Sequence, residues 1–389
     1  MNKFNINIEN LQPSSSIQFM QLARQLKEEG KDIVDLAGGE PDFDTPKRIV
    51  DEAIQFLKDG YTHYTVGPGL LELREAIARK LCQDNHIVCG AENIIVTPGA
   101  KYAIHATVQS LINQGDEVLY FSPGWVSYVP IILAAGGCPV EVKLDAYTNY
   151  EIEEAKLEKA VTSKTKMLII NYPNNPTGRI IDRKQADIIV KFMKNHPEIF
   201  LVSDEIYEKI VFKGNRNISI ASYSEVKDRV ITINGFSKSV AMTGWRMGYL
   251  EASNEIVKQI YKLYQHTITC VSGFIQKAGI VALECNGDVE NMRKEYEERM
   301  KFFVQGLNSI KGITCVEPEG SFYAWVYVEK DSWSAEEIAE GLLKEQGLVS
   351  VPGTAYGEDK PYLRMSFATD KKTLVKAIER IREFMRNEW

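Results

Sequence analysis

Met167-Leu168-Ile169-Ile170-Asn171-Tyr172-Pro173-Asn174-Asn175-Pro176-Thr177-Gly178 joins an unbroken apolar run to a polar turn. The run does not alternate, so the predicted strand over 167–171 is buried on both faces, as in a parallel sheet covered by helices. Two prolines, two adjacent asparagines and a glycine stiffen the segment after the strand. Such a turn is either a plain connector or a rigid mount that aims an asparagine amide into a site.

The same texture repeats on either side. Further strands are predicted over 94–97, 117–121, 139–143, 200–204, 230–234 and 248–251. Helical patterns such as 70–85 and 185–196 lie between them and are long enough to be crossovers. Strand–helix alternation predicts an α/β fold: a mostly parallel seven-stranded sheet sandwiched by helices, with right-handed crossovers. Beyond about residue 253 the pattern is helical to 310. It then mixes strands (322–328, 362–367) with helices (335–345, 371–387), which predicts a smaller α+β domain. The expected division is a large domain over 46–285 and a small one from 1–45 plus 286–389, with a site at their junction.

The chain has 389 residues, 44% hydrophobic and 25% charged, which excludes a disordered, collagenous or coiled-coil protein. Forty-six basic against 53 acidic residues leave a net charge of −7, so the broad positive field that nucleic acid requires is missing. An anionic ligand must be held by local groups. The cysteines form no C-x-x-C and the histidines no H-E-x-x-H, which points to thiols in a reducing compartment and to no metal site. Residues 1–10 lack the apolar core of a signal peptide, and no apolar run reaches the ~18 residues of a membrane span. The expected address is the cytoplasm, with no membrane contact.

In open α/β sheets, ligands sit beyond the carboxyl ends of the strands. After 94–97 come Gly99, Ala100 and Lys101, which open a helix; its free N–H groups suit a phosphate, or the turn is an ordinary connector. No strand is followed by G-x-G-x-x-G, and G-x-x-x-x-G-K-[ST] does not occur, so dinucleotide and nucleoside-triphosphate readings lose their main support. The strand over 200–204 leads into Asp204-Glu205-Ile206-Tyr207. A carboxylate at a buried strand end is unfavourable without a cationic partner, while a solvated one needs none. Ser237-Lys238 follows the strand over 230–234, with Gly244-Trp245-Arg246 ending eight residues after the lysine. A lysine among small and apolar neighbours is a candidate Schiff-base nucleophile, because desolvation favours its neutral amine. Arg246 offers a planar fork for a phosphate. An amine, an acid for a cationic ring nitrogen, donors for a phenolate oxygen and a phosphate cup together fit pyridoxal phosphate.

These strings, with Ala37-Gly38-Gly39-Glu40-Pro41-Asp42-Phe43, Gly69-Leu70-Leu71-Glu72-Leu73-Arg74 and Leu363-Arg364-Met365-Ser366, resemble the class I aminotransferases of the aspartate aminotransferase superfamily. Those are fold-type I pyridoxal-phosphate enzymes, and the resemblance spans nearly the whole chain. It implies an aminotransferase that moves an amino group from an L-amino acid to a 2-oxo acid. Lys238 would then bond the cofactor and shuttle protons, Asp204 would face the pyridine nitrogen, and Asn175 and Tyr207 would bond the phenolic oxygen. Ser237, Arg246 and the Gly99, Ala100 and Lys101 amides would hold the phosphate, with Trp125 stacked on the ring. Arg364, helped by Gly39 and Asn175, would clamp the substrate carboxylate.

Tyr64 resembles the tyrosine that crosses to the phosphate of the other subunit, which implies a homodimer with shared sites. One departure concerns the lysine that some bacterial members place before an N-terminal proline. Here the segment reads Leu11-Gln12-Pro13, so charge for a distal substrate carboxylate is lacking there, with His63, Lys101 or a partner residue as substitutes. A C–S β-lyase uses the same parts but is less like these motifs. A cofactor-binding sensor would need an added DNA-binding domain.

Overall fold

The computed structural model describes residues 5–9, 11, 13, 15–330 and 332–386. A short strand β1 (Val34–Asp35) precedes the central sheet. That sheet is built from β2 (Ile94–Thr97), β3 (Glu117–Ser122), β4 (Cys138–Lys143), β5 (Thr165–Asn171), β6 (Phe200–Asp204), β7 (Val230–Gly235) and β8 (Gly248–Glu251). Their order is β2-β8-β7-β6-β5-β3-β4. Only β8 runs antiparallel to its neighbours. The expected seven-stranded, mostly parallel sheet is therefore present.

The non-alternating strand β5 explains the two-sided cover. Leu168 and Ile170 point into one apolar cluster with Ile189, Phe192 and Met193 of the helix Arg183–Asn195. Met167 and Ile169 point into another with Ile104 and Val108 of the helix Ala100–Leu111 and Ile260 of Asn254–Thr267. Successive side chains of one strand thus bury on opposite faces.

A third apolar cluster lies under a second sheet of β9 (Ile313–Cys315), β10 (Tyr323–Val328), β12 (Val351–Pro352) and β13 (Tyr362–Ser366), ordered β12-β13-β10-β9 and wholly antiparallel. Phe303, Leu342, Ile381 and Phe384 cover it from three helices. Strand β11 (Leu348–Val349) pairs in parallel with β1, which ties the N-terminal segment to this late part of the chain.

Two helical stretches differ from expectation. The pattern over 253–310 resolves into Asn254–Thr267, Gly273–Ala282 and Asn286–Asn308, interrupted after Thr267, where Thr269 takes φ 70°. The helix over 70–85 is α-helical over Leu71–Lys80 and closes with a π-helical turn, Leu81–Asn85. Among the described residues no helix is long and apolar enough to cross a membrane.

Candidate active site

The carboxyl ends of β2, β5, β6 and β7 face β10 and β13 across a cavity of about 380 Å³. Lys238 stands just past β7. Its Nζ donates to the Gly39 carbonyl and lies 6.0 Å from the Tyr207 ring centre and 5.8 Å from that of Phe322. Burial lowers the amine to about 8; Glu40 opposes this, while Arg364 and Arg246 push it further down. About a tenth of such an amine is neutral at pH 7.

Asp204 is the last residue of β6 and is buried. Its carboxylate accepts from neutral donors, Tyr128 Oη at 2.8 Å and the Ile206 N–H at 3.3 Å. Burial raises it to about 6 despite those bonds and the nearby Lys238 charge. Its hydrogen-bond partners are thus neutral, contrary to the simplest reading of a buried strand-end acid. Tyr207 shares a hydrogen bond of 3.0 Å with Tyr323 Oη, and burial pushes its phenol well above the ordinary value.

The turn after β5 shows how its two asparagines divide the work. Asn174 Oδ1 accepts from the Thr177 N–H at 2.9 Å and Oγ1 at 2.8 Å, so its side chain is spent on the turn. The Asn175 N–H is held by Asn171 Oδ1 at 2.9 Å, which leaves its own amide facing Arg364. Arg364 is only 3% exposed. Nη1 donates to Asn175 Oδ1 at 3.2 Å and Nη2 to the Ala37 carbonyl at 2.7 Å. The guanidinium carbon lies 4.3 Å from the Tyr323 ring centre and 5.2 Å from that of Tyr356. Its Nε is buried without a partner. A buried unpaired N–H on a cation is a strong attractor for an anion.

The opposite end forms a cradle. Helix Ala100–Leu111 starts after Gly99 with no side-chain cap, so its first N–H groups are available. Gly99 sits at φ +82°, and a Cβ there would come 2.6 Å from Arg246 Nη2. Gly248 has no room for a Cβ either, because the Ala100 nitrogen would lie 2.6 Å from it. Helix start and guanidinium are thereby packed together. Ser237 is buried at the same end. Lys101 Nζ lies 5.0 Å from the Trp125 ring centre, its amine lowered by burial and by Arg246. Trp125 packs edge-on against Tyr128 at 5.2 Å.

The cavity thus gathers Gly39, Ala100, Lys101, Trp125, Asn175, Asp204, Tyr207, Ser237, Lys238, Arg246 and Arg364, with Gly99 adjoining. Tyr64 is not among them. It is 87% exposed, beside His63, Tyr61 and Gly273 in a separate surface cleft. Gln12 lies outside the described residues.

Tyr323, Tyr128 and Glu40 also stand at or behind the cavity. Glu40 falls inside the 37–43 segment, whose composition gives no role to its acid. Tyr323 lies in a predicted strand, where alternation from Phe322 gives a face but no partner. Tyr128 follows Trp125 by three residues, the only local hint that both sit on one turn.

The sequence pattern of the family described as "Aminotransferase class I and II" matches residues 31–381. The chain is 39% identical to an aspartate aminotransferase of Musicola paradisiaca over 376 residues, covering 95% of this chain and 93% of that one. It is also 39% identical to an "Aromatic-amino-acid aminotransferase 2" of Thermococcus litoralis, covering 98% of both. The solved structure of the aspartate aminotransferase from Thermus thermophilus with maleate superposes with a TM-score of 0.94 at 33% identity, covering 99% of this chain and all of that one.

Proposed function

The chain belongs to the class I and II aminotransferase family, and from that premise we propose how its cavity performs transamination. It is an aspartate-aminotransferase-like aminotransferase. The observation that carries the residue-level reading is the single cavity joining a depressed amine, a buried acid and two arginine forks. We propose pyridoxal phosphate as the coenzyme. Two features support the fit: the Gly99 cradle that a Cβ would fill, and a buried acid bonded only by neutral donors.

When bound, pyridoxal phosphate supplies an electron sink for the substrate α-carbon. The chain's own groups do the rest. Lys238, partly neutral, takes the α-proton and returns it. Asp204 would stand against the ring nitrogen and favour its protonated form, and Asn175 and Tyr207 would bond the phenolic oxygen. Ser237, Arg246 and the Gly99, Ala100 and Lys101 amides would hold the phosphate, and Trp125 would stack on the ring. Arg364, with the Gly39 amide and Asn175, clamps the carboxylate shared by the amino-acid donor and the 2-oxo-acid acceptor.

The exposure of Tyr64 away from its own cavity supports a homodimer in which the partner subunit's Tyr64 completes the phosphate site. The same reading divides the chain at 46–285 and 1–45 plus 286–389, supported by β1 pairing with β11. Six free cysteines support a cytoplasmic address. The test is to add single amino acids to coenzyme-loaded protein without any oxo acid. Loss of the bound coenzyme's visible absorbance without release of ammonia is expected. Release of pyruvate and ammonia would mark β-elimination and overturn the reading.

A further inference from the structure

Behind Asp204, on the side of β6 away from the cavity, lies a buried polar cluster that the transamination chemistry does not use. Successive residues of an extended chain point to opposite faces, so Ser203 and Glu205 turn away from the cavity that Asp204 faces. Glu205 is 1% exposed. Its carboxyl accepts from Ser203 Oγ at 3.0 Å, from Asn85 Nδ2 at 3.2 Å and from Ser219 Oγ. Asn85 is the hub: Nδ2 also reaches Glu208 at 2.6 Å and Ser219 at 2.9 Å, while Oδ1 accepts from Lys80 Nζ at 2.8 Å. Lys80 is paired with Glu208.

Two observations show that the cluster is built for placement. A buried acid with neutral donors contributes little to stability compared with an apolar side chain of similar volume, whereas a fully bonded network fixes geometry. Both oxygens of Glu205 are bonded. In addition, the helix Leu71–Lys80 ends in the π turn Leu81–Asn85, closed by His86 at φ 58°. A π turn inserts a residue into the helical register, and here Lys80 precedes it and Asn85 ends it, both directed into the cluster. On the other side, the Glu205 N–H donates to the Ile233 carbonyl of β7 at 2.8 Å, and its carbonyl accepts from the Glu208 N–H at 2.9 Å.

We propose that Glu205 is a positioning residue for transamination: through Ser203, Ser219 and Asn85 it fixes the Asp204–Tyr207 segment and hence the acid and the phenol at the cavity. The inference rests on the roles given to Asp204 and Tyr207 under the proposed function. Burial raises Glu205 to about 7, with Glu208 adding to the rise and Lys80 opposing it. The ionisable groups that act on it are Lys80 from the helix Leu71–Lys80, Glu208 on its own segment, and Tyr249 and Glu251 from β8. A proton on Oε1 keeps every contact: the Ser203 hydroxyl turns to accept from it, while Oε2 goes on accepting from Ser219 and Asn85.

The test compares Glu205→Leu, Glu205→Gln and Asp204→Asn as coenzyme-loaded proteins. A small misplacement of catalytic groups costs up to about 10²-fold. Glu205→Leu is therefore expected to lower kcat about ten- to hundred-fold with KM within about threefold. It should also shift the pH midpoint of the coenzyme's visible band. Glu205→Gln, whose amide satisfies the same neighbours, restores both. Wild-type kcat and midpoint in folded Glu205→Leu, or equal damage in both Glu205 variants, would overturn the proposal. Should Glu205→Leu fail to fold, Ser219→Ala decides: unchanged kcat and midpoint overturn it, and a drop in kcat at constant KM supports it. Asp204→Asn separates the two readings. If it is inactive while Glu205→Leu is normal, only the positioning role falls; if Asp204→Asn is fully active, the site assignment itself falls.

Discussion

Arg364 Nη1 meets Asn175 Oδ1 at 3.2 Å, joining β13 to the turn after β5. Nη2 donates to the Ala37 carbonyl, and the buried Nε has no partner, so three of the five N–H donors stay open for a carboxylate. A lysine at this position keeps one charge but loses the fork and leaves the Asn175 and Ala37 oxygens without their donor. Arg364→Lys is expected to lower kcat/KM about 10²-fold, mainly through KM. Steady-state kinetics with both donor and acceptor check this; a normal KM for either would contradict the clamp.

Lys238→Ala removes the amine that bonds the Gly39 carbonyl beside the Tyr207 ring. Turnover is expected to vanish while coenzyme stays bound through the Gly99–Arg246 cradle. Dialysis followed by absorbance measures retention. Activity at the wild-type level would remove Lys238 from the chemistry.

Gly99→Ala forces an L side chain into φ +82° and to 2.6 Å from the Arg246 guanidinium. Strain of this kind is of order 1–3 kcal/mol. Coenzyme affinity should fall at least about tenfold, with kcat at saturating coenzyme close to normal. A coenzyme titration reads both.

Asp204 carries a pH signature in the coenzyme-free protein. Its folded value of about 6 lies above the ordinary 3.8 of an exposed carboxyl. Between those values the folded state holds a proton that the unfolded chain has released, so stability falls as pH rises from about 4 to about 6. The full loss, present above about pH 6, is about 3 kcal/mol. Asp204→Asn should remove this share of the fall, while the shares of Glu205 and Glu251, both raised to about 7, remain; the variant is expected to be more stable than the parent at pH 7. Denaturant melts at pH 4.5 and 7 give the comparison, and an identical pH slope in both proteins would refute it.

A shared site predicts complementation between two inactive chains. Mixing Tyr64→Ala with Lys238→Ala after unfolding and reassociation should yield mixed dimers with one intact site each, roughly a quarter of normal activity. Two monomers, or two self-contained sites, would give no recovery beyond the sum of the parents.

Strand ends were legible because burial on both faces writes itself as unbroken apolar runs, as in Met167-Leu168-Ile169-Ile170. The residues at or just past those ends, Asp204, Asn175, Lys238 and Gly99, inherit their place from the sheet. Arg364 was legible only through the resemblance of its neighbours 363–366 to the family, since periodicity says nothing about which carbonyl it meets 327 residues away. Tyr323 and Tyr128 were not legible, because each acts through a hydroxyl whose partner lies on another element. The π turn at 81–85 was likewise hidden: its composition continues the helix, and Asn85 at its end bonds Glu205 and Glu208, more than a hundred residues away.

The parallel pairing of Val34–Asp35 with Leu348–Val349 has a consequence for biosynthesis. A ribosome releases the early strand long before its mate exists, so β1 waits unpaired while the central sheet forms. Contacts this distant in sequence slow folding, because the loop between them must close first. Completion of the proposed carboxylate clamp is therefore expected late, when the last strand, which carries Arg364, emerges. A nascent chain halted before β13 would own a cradle for the coenzyme but no grip on the amino acid.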